Sequence, residues 1–248
     1  MTSTPGSGGP TAAPTPRRSD RREDPHGDPP DTTPDTTPDT TPDTPLDTTP
    51  RLRRRFSRAE RLVHRTTAAL MLLCVATAAC LYVPQLAELV GRRHLVVTLH
   101  QWSGLLLPAP FLVGLASPSF RADLRRLNRF APHDKEWLRA VRRRDFRPES
   151  RPSGKFNAGQ KVYAGWIAGA VLVMLATGLM MWFTGLTPLV WRTSATFVHD
   201  WLSLAVGLVL AGHIGMAFAD PQARHGMRTG SVQRPWAERE HPLWKEEE

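Results

Sequence analysis

The sequence predicts an all-α membrane protein, in which a bundle of four transmembrane helices follows a disordered N-terminal tail. Three observations predict this fold class. The apolar windows 66–83, 95–116, 162–183 and 195–219 are each at least 18 residues long, which is enough to span a bilayer. The segments between them are polar and rich in arginine, and residues 1–50 contain no apolar run. The slightly negative mean hydropathy therefore averages two populations and does not indicate a soluble protein.

The net charge of +9 does not indicate nucleic-acid binding, because most of it lies beside the apolar windows. The two cysteines, Cys74 and Cys80, lie inside the first window. At such positions cysteine behaves as a small apolar side chain, so no disulfide or metal framework is predicted.

Three regions are predicted along the chain. Residues 1–56 form a disordered tail, since Pro, Thr, Asp and Gly dominate it and D-T-T-P repeats from Asp31 to Pro50. Residues 57–220 form the membrane domain, and residues 221–248 form a polar, irregular C-terminal tail.

The helix boundaries follow from local signals. Ser57 and Glu60 have the spacing of a capping box, in which each side chain bonds a free backbone N–H group of the other residue. The predicted helices cover residues 57–84, 94–117, 161–183 and 194–219. In the loop between the second and third helices, Phe120, Leu124 and Leu127 have helical spacing. They predict a short amphipathic helix on the membrane surface, with a solvated basic loop as the alternative.

The orientation follows from the distribution of basic residues. Seven arginines lie in residues 51–65, 13 Lys and Arg in residues 119–161, and five after residue 220. The other two connections carry only Arg92 and Arg93, and Arg192. Because positive charge stays on the cytoplasmic side, both termini are predicted to be cytoplasmic in a bacterial inner membrane.

Four histidines lie within the predicted helices, and His94 lies at the end of one of them. His199 and His213 are separated by nearly four whole turns of the last helix. They therefore point to about the same face, roughly 21 Å apart along the axis. The topology places His64 at the depth of His213, and His100 at the depth of His199. Ionisable residues inside a membrane are candidates for function.

Two such pairs of neutral imidazoles can fill both axial positions of two haem irons. No position then remains for oxygen or a substrate, so each haem could only transfer electrons. Haem attachment would be non-covalent, since no C-x-x-C-H motif occurs. The alternative is that each histidine is packed or hydrogen-bonded inside the bundle. The other histidines are predicted to be solvated; they are His26, His94, His133, His225 and His241.

These motifs resemble the gamma subunit of respiratory formate dehydrogenases, a four-helix di-haem cytochrome b known as cytochrome b556. The resemblance covers residues 57–220 and does not include the N-terminal tail. The segments that carry it are RLVHR around His64, LHQWSG around His100, GKFNAGQK at 154–161, FVHDWLS around His199 and AGHIGMAF around His213.

The resemblance implies two haem b groups, with His64 and His213 holding the inner one and His100 and His199 the outer one. It also implies a menaquinone site at Asn157, Gly159 and Gln160, close to His213. An ordinary helix N-terminus capped by Asn157 remains the alternative for this segment. Phe156 stands where the family commonly has tyrosine.

The predicted function is that of a membrane-anchoring subunit of a formate dehydrogenase-like complex. The resemblance implies two partners, an iron–sulfur beta subunit and a molybdopterin-containing catalytic alpha subunit. Electrons from the iron–sulfur partner would cross the membrane to menaquinone, and this chain would hold no formate-oxidising site. One alternative is a cytochrome b that serves a hydrogenase, a thiosulfate reductase or another molybdoenzyme. The other is a haem-free anchor or transporter.

Overall fold

The computed structural model describes residues 52–245, so the predicted disordered tail lies outside the described residues up to position 51. The described part is mainly helical. In chain order its elements are β1 (Leu52–Arg54), α1 (Arg58–Tyr82), α2 (Pro84–Val90), α3 (Arg93–Leu106), α4 (Ala109–Gly114), α5 (Pro118–Leu127), α6 (Pro132–Arg142), a short 3-10 turn (Pro148–Ser150), α7 (Ala158–Trp182), α8 (Leu189–Ala219), α9 (Pro221–Thr229), β2 (Ser231–Gln233) and α10 (Arg234–Glu240).

Four helical segments are long and apolar enough to cross a membrane, which confirms the predicted fold class. They are α1, α3 together with α4, α7 and α8. Their surfaces are mostly unburied within the chain, as expected for helices that face lipid. The protein is therefore a multi-pass membrane protein.

The second span is not the single helix predicted for residues 94–117. It is divided between Leu106 and Ala109, where Pro108 interrupts it. Proline has no N–H to donate and its ring clashes with the preceding turn, so an uninterrupted helix is disfavoured there. The sequence contained this signal.

Two helix starts also differ from the prediction. The third span begins at Ala158, three residues early, because Asn157 and Gln160 form a capping box. The fourth span begins at Leu189, directly after Pro188, and not at residue 194. With 31 residues, α8 is about 46 Å long, which exceeds the roughly 30 Å of the hydrocarbon core.

The bundle consists of two helical hairpins. In the first, α1 packs along α3 and α4; in the second, α7 packs along α8. Contact between the hairpins is much lighter, and the shared core is small. It consists of Met71, Leu107, Ala170 and Val206. The two hairpins are therefore joined by few direct contacts.

An ordered cap covers one end of the bundle, so the prediction that residues 221–248 form an irregular tail is wrong for the described residues 221–245. β2 pairs antiparallel with β1, and Val232 from β2 packs with Trp236 and Ala237 of α10. The strand β1 also shows that residues 52–54 are ordered, although the predicted disordered tail extended to residue 56. Their partner strand follows the last membrane span, at the far end of the chain, so local sequence could not reveal it.

The loop between the second and third spans contains two helices, α5 and α6, and the solvated-loop alternative is wrong. Each helix is anchored by a buried ion pair. Lys155 contacts Asp123 of α5 at 2.5 Å, and Lys161 of α7 contacts Asp134 of α6 at 2.7 Å. Both lysines belong to the segment around the start of α7, so the ion pairs hold α5 and α6 against this end of the bundle.

Candidate haem site

The structure brings the four membrane histidines together as the two pairs that the sequence predicts. The ring centroids of His64 on α1 and His213 on α8 are 6.3 Å apart, with an interplanar angle of 48°. The centroids of His100 on α3 and His199 on α8 are 6.1 Å apart, at 70°. Each pair thus joins one helix of the first hairpin to α8 of the second.

These separations fit one iron between each pair of rings. A metal–imidazole bond is about 2 Å long and the ring centroid lies roughly 1.1 Å beyond the nitrogen, so two imidazoles on opposite sides of one ion have centroids about 6.2 Å apart. The observed distances are 6.3 and 6.1 Å.

The donor set favours a porphyrin over a bare metal ion. Within residues 52–245, no group of three or more His, Cys, Asp or Glu side chains is placed to hold a metal. A zinc site needs about four ligands, whereas a porphyrin supplies four nitrogens and leaves two axial positions for protein side chains. Two imidazoles per site match that requirement.

Four glycines of the second hairpin lie at open surface. A Cβ atom added at Gly165 or Gly169 of α7, or at Gly207 or Gly212 of α8, would meet no other atom within 4 Å. The two α7 glycines therefore do not serve a close helix contact within the chain. They leave open surface in the membrane domain.

Hydroxyl groups contact the pair formed by His100 and His199. Thr77 Oγ1 lies 3.0 Å from His100 Nδ1, and Thr177 Oγ1 lies 2.9 Å from His199 Nδ1. The pair formed by His64 and His213 has a different neighbour, since the Tyr163 ring stacks on His213 with centroids 4.8 Å apart. Sequence reasoning missed all three residues. The sequence contained one signal for two of them. Tyr163 and Thr177 have the same separation along α7 as His199 and His213 have along α8, so each can lie at the depth of one of these histidines.

The candidate quinone residues lie at the N-terminus of α7. Asn157 Oδ1 accepts a hydrogen bond from the Gln160 backbone N–H, and Gln160 Oε1 accepts one from that of Asn157. The helix-cap interpretation of Asn157 is therefore present in the structure. Both amide NH2 groups remain available as donors, because the cap uses only the oxygens.

Gly159 has a packing reason to be glycine. An added Cβ atom would lie 2.8 Å from Cη2 of Trp137 on α6. The indole of Trp137, Asn157 and Gln160 line one polar cavity of about 80 Å³, together with Asp220 and His241. This volume holds a few water molecules, since a liquid water occupies about 30 Å³. Gln160 is one helical turn from Tyr163, which connects this region to His213.

The cap buries charged side chains beside the same cavity. Arg55 donates through Nη2 to the Lys155 carbonyl, and burial lowers the pKa of Arg55 to about 10. His241 bonds through Nδ1 to the Gly154 carbonyl at 2.7 Å. Burial, with Arg55 nearby, lowers the pKa of His241 to about 3. The prediction that His241 is solvated is wrong, because the cap covers it.

Four membrane-spanning segments with two facing pairs of imidazoles define a membrane cytochrome b. The chain belongs to the prokaryotic cytochrome b561 family, whose sequence profile matches residues 55–229. Membership implies that the protein binds haem b. The matched range includes all four histidines and ends within α9.

Several relatives are cytochrome subunits of formate dehydrogenases. The chain is 32% identical over 97 residues to the cytochrome b556(Fdn) subunit of the nitrate-inducible enzyme of Escherichia coli K12, covering 38% of this chain and 45% of that subunit. It is 27% identical over 200 residues to the cytochrome b556(fdo) subunit of the same strain, covering 78% and 92%. Against the cytochrome b556 subunit of Haemophilus influenzae Rd it is 26% identical over 168 residues, covering 66% and 68%. The match to the first of these relatives thus spans less than half of that subunit.

Proposed function

We propose that this protein is the di-haem membrane subunit of a formate dehydrogenase-like complex, and that it carries electrons across the bilayer to menaquinone. The observation that carries the proposal is the pair of imidazole gaps, each of a width that fits one iron. Both gaps involve α8, whose two histidines are nearly four turns apart, so the two sites are stacked roughly 21 Å apart along that helix.

The proposed axial ligands are His64 with His213 for one haem b, and His100 with His199 for the other. Haem b supplies reversible one-electron exchange between ferrous and ferric iron. The four histidines would hold the two groups one above the other. With two imidazoles at each iron, they would also keep oxygen and substrates away from the metal.

The proposed orientation places both termini in the cytoplasm of a bacterial cell. The basic segments support it, since α5, α6 and the residues before α1 lie at the same end of the bundle as the cap. His64, six residues into α1, and His213, six residues before the end of α8, then form the inner pair. His100 and His199 form the outer pair.

The proposed menaquinone site is at Asn157, Gly159 and Gln160. The amide NH2 groups of Asn157 and Gln160 could donate to quinone carbonyls. The stacking of Tyr163 on His213, one turn from Gln160, supports a short path from the inner haem. The polar cavity beside these residues is also lined by Asp220 and by Trp236 and His241 of the cap, so in the proposed orientation protons from the cytoplasm could reach it through the cap. At about 80 Å³ the cavity is too small for a quinone ring, so ring binding requires α6 or the cap to shift.

The proposed partners are an iron–sulfur beta subunit, which delivers electrons to the outer haem, and a molybdopterin-containing alpha subunit, which oxidises the substrate. The names of the relatives support formate dehydrogenase as the complex. In this proposal the chain itself does not act on formate.

The first test is a dithionite-reduced minus oxidised spectrum of the purified protein, with haem quantified per chain. We expect two b-type haems. His100→Ala and His199→Ala should remove the same spectral component, and His64→Ala and His213→Ala the other. A folded preparation without haem would support a haem-free anchor or transporter instead. Loss of one common component in His100→Ala and His213→Ala would overturn the pairing.

The partners are tested separately by affinity purification of the tagged chain from its own membranes. We expect an iron–sulfur protein and a molybdoenzyme to co-purify, with formate-dependent reduction of the cytochrome. Co-purification with hydrogenase subunits, and reduction by hydrogen but not by formate, would overturn the choice of complex while leaving the haem assignment intact.

A further inference from the structure

Two buried threonines repeat one arrangement in the two hairpins. In the first, Thr77 of α1 contacts His100 of α3 at 3.0 Å. In the second, Thr177 of α7 contacts His199 of α8 at 2.9 Å. In both contacts the ring atom is Nδ1. The two histidines of the outer pair are therefore held in the same way from opposite sides.

The direction of these hydrogen bonds follows from the threonine hydroxyl. Thr77 Oγ1 donates its single hydrogen to the Leu73 carbonyl at 2.7 Å, and the Cys74 carbonyl is 3.0 Å away. A carbonyl can only accept, so the hydroxyl oxygen is left as an acceptor for His100. Nδ1 of His100 must then carry the hydrogen. Nε2 of the neutral ring is consequently unprotonated and available to a metal.

The second hairpin gives the same result. Thr177 Oγ1 donates to the Val173 carbonyl at 2.8 Å, and the Met174 carbonyl is 3.1 Å away. The hydroxyl oxygen is again left as an acceptor, so Nδ1 of His199 carries the hydrogen. Nε2 of His199 is therefore the nitrogen left for a metal.

The inner pair lacks this support. Within residues 52–245, neither His64 nor His213 has a side-chain hydrogen-bond partner, and His213 is instead stacked on Tyr163. The two pairs thus have matching ring separations but different surroundings.

We propose that Thr77 and Thr177 are positioning residues for the outer haem, which they orient and whose potential they lower through His100 and His199. The inference rests on the proposed haem ligation by these histidines. A hydrogen bond accepted from Nδ1–H fixes the tautomer and ring orientation and makes Nε2 a stronger donor. A stronger donor favours ferric over ferrous iron, so the outer haem is held at a lower potential than the same ligands would give alone. The two haems then differ in reduction potential, although each has two imidazole ligands.

The experiment compares Thr77→Val and Thr177→Val with Thr77→Ser and Thr177→Ser. Valine keeps the branched shape and removes the oxygen, whereas serine keeps the oxygen and removes the methyl group. Thr66→Val is the matched control. Thr66 Oγ1 makes the same bonds to its own helix, to the Leu62 and Val63 carbonyls, but no histidine contact is made there. The readouts are haem per chain and an equilibrium redox titration of each haem in the purified protein.

We expect each valine variant to raise the midpoint potential of the outer haem and leave that of the inner haem unchanged. A tenfold loss of preference for ferric iron corresponds to a rise of about 59 mV in a one-electron couple. The double valine variant should shift further, because the two threonines act on different ligands of one iron. The affinity for the outer haem should fall by about 10–100-fold, which is the usual effect of losing a hydrogen-bond partner of a ligand. Serine variants and Thr66→Val should behave as wild type.

The inference is overturned if the valine variants titrate as wild type, if the serine variants shift as far as the valine variants, or if the inner haem shifts equally. Its failure is distinguishable from failure of the proposed function. If the wild-type protein carries two haems and the histidine variants pair as expected, but the threonine variants change nothing, only the role of the threonines is wrong. A wild-type protein that contains no haem would overturn both the proposed function and the role of the threonines.

Discussion

The ion pair between Asp134 and Lys161 should be a main support of the capped end of the bundle. Asp134 is fully buried and Lys161 is 7% exposed. Their charged atoms are 2.7 Å apart, and Lys161 Nζ also donates to the Arg129 carbonyl. Removing one member leaves the other charge buried without its partner, which typically costs about 3–5 kcal/mol. We therefore expect Asp134→Asn and Lys161→Met each to destabilise the protein by that amount.

Removing both charges should cost less than the sum of the two single losses. The double variant Asp134→Asn/Lys161→Met leaves neither of these two charges buried. The double-mutant cycle should therefore show a coupling free energy of about 2–3 kcal/mol between Asp134 and Lys161. The assay is the loss of the haem absorbance on heating. At about 2–4 °C per kcal/mol for a chain of this size, each single variant should lose roughly 6–20 °C in Tm.

Asp145→Asn is the matched control, since Asp145 forms a solvent-accessible ion pair with Arg147 at 3.0 Å. Such pairs are screened by water, and Tm should hardly change. Additive losses in the Asp134 and Lys161 cycle, or an equal loss in the control, would refute the reasoning.

Three further predictions concern the same end of the molecule. Gly159→Ala would press its Cβ against Trp137, 2.8 Å away, and should cost about 1–3 kcal/mol, measured as a lower Tm even when no quinone is present. His241 is buried and neutral in the folded chain, where its pKa is lowered to about 3. As the pH falls below 6.5, the unfolded chain therefore binds a proton at His241 while the folded chain does not. Stability should therefore fall by about 2 kcal/mol between pH 7 and pH 5, and His241→Asn should flatten that slope. Ser57→Ala removes the hydroxyl that accepts from the Glu60 backbone N–H and should cost about 0.5–2 kcal/mol, whereas Ser57→Asn should cost little.

Much of the membrane domain could be predicted because its signals are local. The apolar windows and the capping pattern at Ser57 and Glu60 depend on residues within a few turns of each other, and the structure contains both. The interruption at Pro108 was also a local signal, but the apolar window continues through it and so favoured one unbroken helix. The early start of α8 after Pro188 is a similar case.

The histidine pairs were predictable for a different reason. A spanning helix has a fixed rise per residue and a fixed direction, so depth in the membrane follows from position in the sequence. Depth alone pairs His64 with His213 and His100 with His199, and the structure brings these rings together. Thr77 could not be assigned in this way, because contact with His100 also depends on how α1 and α3 are rotated about their axes.

The cap at the end of the bundle could not be predicted from local sequence. The pairing of Leu52 with Gln233, and the burial of His241 and Arg55, join segments that lie before the first span and after the last one. A polar composition describes such a segment equally well when it is exposed and when it is folded against a partner.

The sequence by itself determined the four spans, their alternating direction and the depth of each histidine, because hydrophobic length and helical rise are properties of a single segment. The tertiary structure alone decided which faces meet: the light contact between the hairpins, the hydroxyl groups beside His100 and His199, and the cap that buries Arg55 and His241. These features arise from packing between segments distant in the chain, where the energy depends on both surfaces at once and no single stretch of sequence contains it.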